Sequence, residues 1–102
     1  MMTIEEAMRL VTQDGMALGC VPERLRTPDL CLAAVMENGW ALEYVPERLR
    51  TPEICMTAVK QYGGAMGHVP EQLRTADLCL AALMQDRDAA EFVPEGILDG
   101  KK

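Results

Sequence analysis

Two sets of side chains in this 102-residue chain could do chemistry: four cysteines, and a Glu/Arg pair that comes back at a fixed interval. Cys31, Cys55 and Cys79 recur every 24 residues, each inside an apolar run. Thiols can pair or bind metal, and the spacing argues against both. Equivalent residues on stacked helices lie roughly 8–10 Å apart. A disulfide tolerates a Cα separation of only about 7 Å. A zinc site needs a His or second Cys close by in sequence, and none is there. These three read as small buried side chains in a reducing compartment. Cys20 takes the place that Tyr44, His68 and Phe92 hold in later copies, and its accessibility stays open.

The charged pair has two readings. Arg26, Arg50 and Arg74 form one column, with Glu23, Glu47 and Glu71 three residues ahead of them. As a charged ladder along one side of a stack, they would suit an extended or acidic partner. As structural groups, each Arg would pair with its Glu or cap carbonyls at the end of a neighbouring helix. The structural reading is preferred, because packing requires the same residues in every copy.

Catalytic chemistry has little to work with. His68 is the single histidine and sits in an aromatic slot, where a packed ring is expected. The chain has no serine, and Gly63-Gly64 lacks the lysine and spacing of a phosphate loop. No catalytic, metal-binding or cofactor-binding residue is assigned, and no cofactor is expected. An enzyme is kept only as a remote alternative, to be revived by a deep cleft ringed by Glu, Arg and His68.

The elements that hold these groups follow from the repeat itself. Val-Pro-Glu-Arg-Leu-Arg-Thr occurs at 21–27 and 45–51, returns with one change at 69–75, and leaves a stub at 93–95. A period in this range marks a repeat array. The chain divides into units at about 3–20, 21–44, 45–68 and 69–92, with a closing half unit at 93–99, all in one domain spanning 1–102. Thr27, Thr51 and Thr75 are expected N-caps. Pro28 and Pro52 suit the first helical position, and Asp29, Glu53 and Asp77 suit the positive end of the dipole. The body that follows, such as Leu30 to Glu37, is apolar on almost every side and so belongs between two neighbours. Gly39, with Gly15 and Gly63, is expected as a left-handed C-terminal cap. Arg87 replaces it in the last unit, so that helix should end differently. A helical turn at 41–44 and a 3-10 turn at 46–49 complete the unit. Val45 and Leu49, with their counterparts, form the back wall of the core. Glu6 replaces the core residue Leu30 in the first unit, as a capping unit requires. The expected fold is all-α: a short right-handed solenoid of 24-residue units, each an α-helix plus short 3-10 turns.

The stretch from Val21 to Val35, VPERLRTPDLCLAAV, resembles domain-of-unknown-function family 4116, a bacterial family of tandem VPEELRTPELC-type units. The likeness runs from Thr3 to Glu95. It implies a helical repeat and carries no activity. The unit is more loosely similar to the leucine-rich-repeat variant, which alternates α and 3-10 helices. Part of that family holds an iron–sulfur module on clustered cysteines, a cluster this chain lacks.

Charge and pattern narrow the partner. Acids outnumber bases 16 to 10, for a net charge of −6, the wrong sign for a nucleic-acid binder. Lys101-Lys102 is too short to act as a basic arm. No apolar stretch approaches the roughly 20 residues that cross a bilayer, and the first residues lack a signal peptide's apolar segment. A cytoplasmic protein that binds another protein is expected. Positions that change from unit to unit are where specificity can reside, and Trp40, the one tryptophan, is foremost. Helical spacing puts Ala33 and Met36 on its side, as a candidate partner surface, unless Trp40 folds back over Met36. Self-association is the alternative: Val93, Ile97 and Leu98 could form a homodimer through an array end.

Overall fold

A computed structural model describes residues 1–97 and is all-α, with no strand among the described residues. Four ten-residue helices run at Ile4–Gln13 (α1), Pro28–Glu37 (α2), Pro52–Gln61 (α3) and Ala76–Gln85 (α4). Each is followed by a six-residue 3-10 helix, at Gly15–Cys20, Gly39–Tyr44, Gly63–His68 and Arg87–Phe92. A three-residue 3-10 turn then leads to the next α-helix, at Glu23–Leu25, Glu47–Leu49 and Glu71–Leu73. Each α-helix packs on the next and each six-residue helix on the next, so the molecule is elongated, 50 × 22 × 16 Å. Leu98, Asp99 and Lys101-Lys102 lie outside the described residues.

The start signals act as the sequence indicates. The hydroxyls of Thr27, Thr51 and Thr75 accept from the amides of Leu30, Ile54 and Leu78, each at 3.3 Å. Such a cap stabilises a helix by about 1 kcal/mol. In α1 the residue at the Leu30 position is Glu6, and its carboxylate bends back to the Thr3 amide at 2.9 Å. Thr3 accepts from Glu6 in return, closing a capping box. One slot thus serves the core in inner units and the helix end in the first.

The core is continuous along the stack. Leu30, Ile54 and Leu78 are buried, and so are Cys31, Cys55 and Cys79 and the alanines 34, 58 and 82. Val21, Val45 and Val69 close it from behind, with Leu25, Leu49 and Leu73 packed against it. Burial, partly offset by Arg26 and Arg48, pushes the Cys31 thiol from 9.0 up to about 11. Burial also takes Cys55 to about 11, against Arg50, and raises Cys79, against Arg74. Cys20 is exposed.

The evenly spaced glycines are not left-handed caps. Gly96 is the one residue with positive φ among the described residues (81°). Each α-helix ends at an extended residue, Asp14, Asn38, Tyr62 or Asp86, and a glycine or Arg87 begins the following 3-10 helix. Glycine is needed because the next unit presses on it: a Cβ on Gly39 would stand 2.7 Å from the Ala58 carbonyl oxygen. Gly15 and Gly63 meet the carbonyls of Ala34 and Ala82 in the same way. The α4 helix does not end differently. Asp86 caps it as Asp14 caps α1, and Arg87 is exposed with no further helix against it among the described residues.

Candidate functional site

The repeated arginines stand between successive 3-10 helices. Arg26 donates from Nε to the Val21 carbonyl at 2.9 Å and from a guanidinium nitrogen to the Tyr44 carbonyl at 2.8 Å. Arg50 donates to Val45 and His68 at 2.9 and 2.7 Å. Arg74 donates to Val69 and Phe92, both at 3.0 Å. These carbonyls close one six-residue helix and the next, so each guanidinium ties two helix ends together. Hydrogen bonds to charged groups contribute about 1.5–3 kcal/mol each when buried, and less here because the guanidinia are partly exposed. Glu23, Glu47 and Glu71 are exposed at the start of the short 3-10 turns.

A second ladder carries no charge pattern that would reveal it in sequence. Glu37, Gln61 and Gln85 end their α-helices and accept from the amides of Gly15, Gly39 and Gly63 at 2.6, 2.8 and 2.6 Å. Gln61 also donates to the Val35 and Met36 carbonyls at the end of α2. A one-in-24 column of Gln or Glu was the available signal, since the partners lie 22 residues away.

Trp40 is the most distinctive side chain outside these ladders. Its ring stacks on Tyr62 of the following unit, with centroids 5.5 Å apart and 25° between planes. Its edge covers Gly64, where a Cβ would come within 2.9 Å. Met36, one helical turn earlier, is 64% exposed, and Ala33 is half-buried against the core. The ring therefore reaches across the unit boundary, an arrangement that neither sequence alternative described. Tyr62 occupies a slot that elsewhere caps the 3-10 helix. Asp14, Asn38 and Asp86 accept from the amides two residues on at 2.9–3.0 Å, and Tyr62 makes no such cap. A local stabiliser is lost where an aromatic pair is gained, and departures of that sort cluster at working surfaces.

Beyond Trp40 lies a groove of about 520 Å³. Gly64 and Gly67 line it, and Trp40, His68 and Phe92 supply ring surface. Asp86, Asp88 and Glu91 form the rest of the lining. Phe92 lies against Gly67, where a Cβ would stand 3.0 Å from the ring, and the Arg74 guanidinium sits 5.9 Å from its centroid. Sequence reasoning placed His68 and Phe92 in one slot but could not see the groove, which depends on glycines opposite them. No group of three or more His, Cys, Asp or Glu side chains among the described residues is arranged to hold a metal ion.

The family model for a domain of unknown function, DUF4116, matches residues 4–50 and again 51–98. The chain belongs to the DUF4116 family. Comparison with curated proteins and with solved structures gives no match. Each DUF4116 match spans two of the 24-residue units, and the packing gives a reason. Tyr44 and Phe92, in the second unit of each pair, lie over Gly19 and Gly67 in the first. At the Gly19 position the chain alternates Gly19, Glu43, Gly67, Glu91, and along the helices Met8, Leu32, Met56, Leu80. A bulky ring in one unit and a bare backbone in its neighbour make the pair, not the single unit, the chemical period of this chain.

Proposed function

We propose that this DUF4116 chain is a protein-interaction module, with Trp40 and Met36 at the centre of its contact surface. The observation behind the reading is the placement of Trp40. It is a large aromatic, 37% exposed, held at a position that packing leaves free to vary, on a framework fixed by two hydrogen-bond ladders. Interfaces draw most of their energy from a few such side chains, tryptophan above all. Tyr62 at 40% and Met84 at 87% exposure add apolar surface that a lone globular unit would be expected to hide. A reducing, cytoplasmic setting suits its four free thiols. No helix among the described residues is long and apolar enough to cross a membrane.

The test is a photo-crosslinking residue placed at Met36 in the native host, with the same group at Glu47 as control. A discrete adduct formed from position 36 and lost with Trp40→Ala supports the reading. Equal labelling from both positions, or an adduct indifferent to Trp40, ends it.

Self-association through an array end is the second reading. Leu10 stands where Ala34, Ala58 and Ala82 are buried, and it is 41% exposed beside Met1, Met2, Glu6 and Arg9. Sedimentation of the parent and of Leu10→Lys decides it: a dimer that the substitution dissolves favours this reading, and a monomer at high concentration removes it.

A further inference from the structure

The geometry points to the groove beside Trp40 as a receptor for an arginine side chain of a protein partner. This rests on the interaction reading above and names the chemistry it would recognise. The groove is concave and lined by the Trp40 and Phe92 rings, which lie close over the backbone of Gly64 and Gly67. Its charged lining is wholly acidic: Asp86, Asp88 and Glu91, with no lysine or arginine among the lining residues. A flat, delocalised cation suits both features at once. Guanidinium stacks on aromatic faces and pairs in a fork with carboxylates, whereas an ammonium is a strongly hydrated point charge. The molecule already shows the contact once, in the Arg74 guanidinium over the Phe92 ring, so the stacking surface left for an incoming guanidinium is chiefly Trp40, 37% exposed.

All three carboxylates are exposed. One oxygen of Asp86 caps the Asp88 amide at 2.9 Å. Asp88 and Glu91 are exposed, and neither belongs to the ladders that join the units. The volume of about 520 Å³ is that of a small-ligand site and holds an arginine with part of its flanking backbone. The two glycines let the Trp40 and Phe92 rings sit close to the backbone and so shape its walls. At their positions the other units carry Met16, Trp40 or Asp88, and Gly19, Glu43 or Glu91.

The chain carries its own reporter, because the single tryptophan lines the groove. The experiment titrates an acetylated, amidated tri-arginine peptide and follows Trp40 emission. The uncharged tri-citrulline peptide serves as the shape control. The expected result is a saturable change with tri-arginine, weakened by added salt, and roughly tenfold weaker binding of tri-citrulline. The combined variant Asp86→Asn, Asp88→Asn and Glu91→Gln should lose about tenfold in affinity for tri-arginine. It should remain folded by circular dichroism, since Asn38 already shows that an asparagine amide oxygen makes this cap. Equal binding of the two peptides, parent-like affinity of the variant, or a flat response with the folded parent overturns the inference. The adduct from position 36 keeps the two proposals apart. If it persists in the combined variant, the arginine site falls and the interaction module stands; if it is absent from the parent, the interaction module falls.

Discussion

The two DUF4116 repeats of this chain, residues 4–50 and 51–98, share a backbone plan and differ at many positions, among them one strip of surface. In the second, the strip leading to Phe92 is a groove lined by two glycines and three carboxylates. In the first, the matching strip leads to Tyr44, and Met16, Asn38 and Trp40 stand where the second has Gly64, Asp86 and Asp88. Met16 packs against the core with its own side chain, whereas at Gly64 the Trp40 ring of the preceding unit lies over the backbone. Five lining positions differ (Met16/Gly64, Cys20/His68, Asn38/Asp86, Trp40/Asp88 and Tyr44/Phe92), and two of the exchanges raise the carboxylates from one, Glu43, to three while the helices beneath keep their lengths. What the repeats share belongs to the seam between units: the glycines at 15, 39 and 63, the arginines at 26, 50 and 74, and the Glu37, Gln61 and Gln85 column. The lesson is that repetition marks scaffold here and difference marks surface.

Substituting a glycine in each class breaks this comparison most sharply. Gly39→Ala forces a Cβ against the Ala58 carbonyl, which is backbone and cannot swing away. A loss of about 3 kcal/mol in urea denaturation is expected. Gly64→Ala meets only the edge of the Trp40 ring, which can move. Its loss should stay under about 1 kcal/mol, while Trp40 emission shifts. Equal losses at the two sites would erase the distinction between seam and groove.

Gln61→Ala sharpens the seam itself. It removes the acceptor for the Gly39 amide and the donor to the Val35 and Met36 carbonyls. A cost of about 1–2 kcal/mol is expected. Gln61→Glu, which restores the acceptor alone, should recover part of it, as Glu37 does for Gly15.

The thiols give a smaller, pH-dependent effect. Cys31 and Cys55 hold their protons to about pH 11 when folded, against 9.0 ordinarily. Above a pH of roughly 9 the unfolded chain releases protons that the folded chain keeps, so stability is full below that point and declines as pH rises toward about 11. The denaturation midpoint should fall across that window, and less steeply in Cys55→Ala. At neutral pH a thiol reagent should modify Cys20 quickly and the other three only on unfolding.

Much of the fold was legible because short-range chemistry writes it. Thr, Pro and an acid in succession name a helix start, and a helix apolar on all sides names its two neighbours. Pro46 and the Leu49 turn announce the break. Other features depended on contacts between units. Gly39 looks like a helix cap in sequence, and only the nearness of Ala58 shows that it is a contact point. The Gln61 column carries no net-charge signal and finds its partner 22 residues back. The carbonyl contacts of Arg50 follow from repetition, since identical residues in every unit imply identical packing. Trp40 stood out as unique, but its partner Tyr62 occupies a slot that otherwise holds Asp or Asn, and no periodic rule points there.

The central claim is that the repeated arginines hold the stack while unit-specific side chains such as Trp40 contribute little to it. Urea denaturation of Arg50→Ala beside Trp40→Ala tests it most directly. Arg50 donates to three carbonyls, at 2.9, 2.7 and 3.2 Å. Its removal should cost about 2–4 kcal/mol, and loss of the Trp40 ring about 1 kcal/mol. An Arg50→Ala protein as stable as the parent, or one less affected than Trp40→Ala, would contradict the claim.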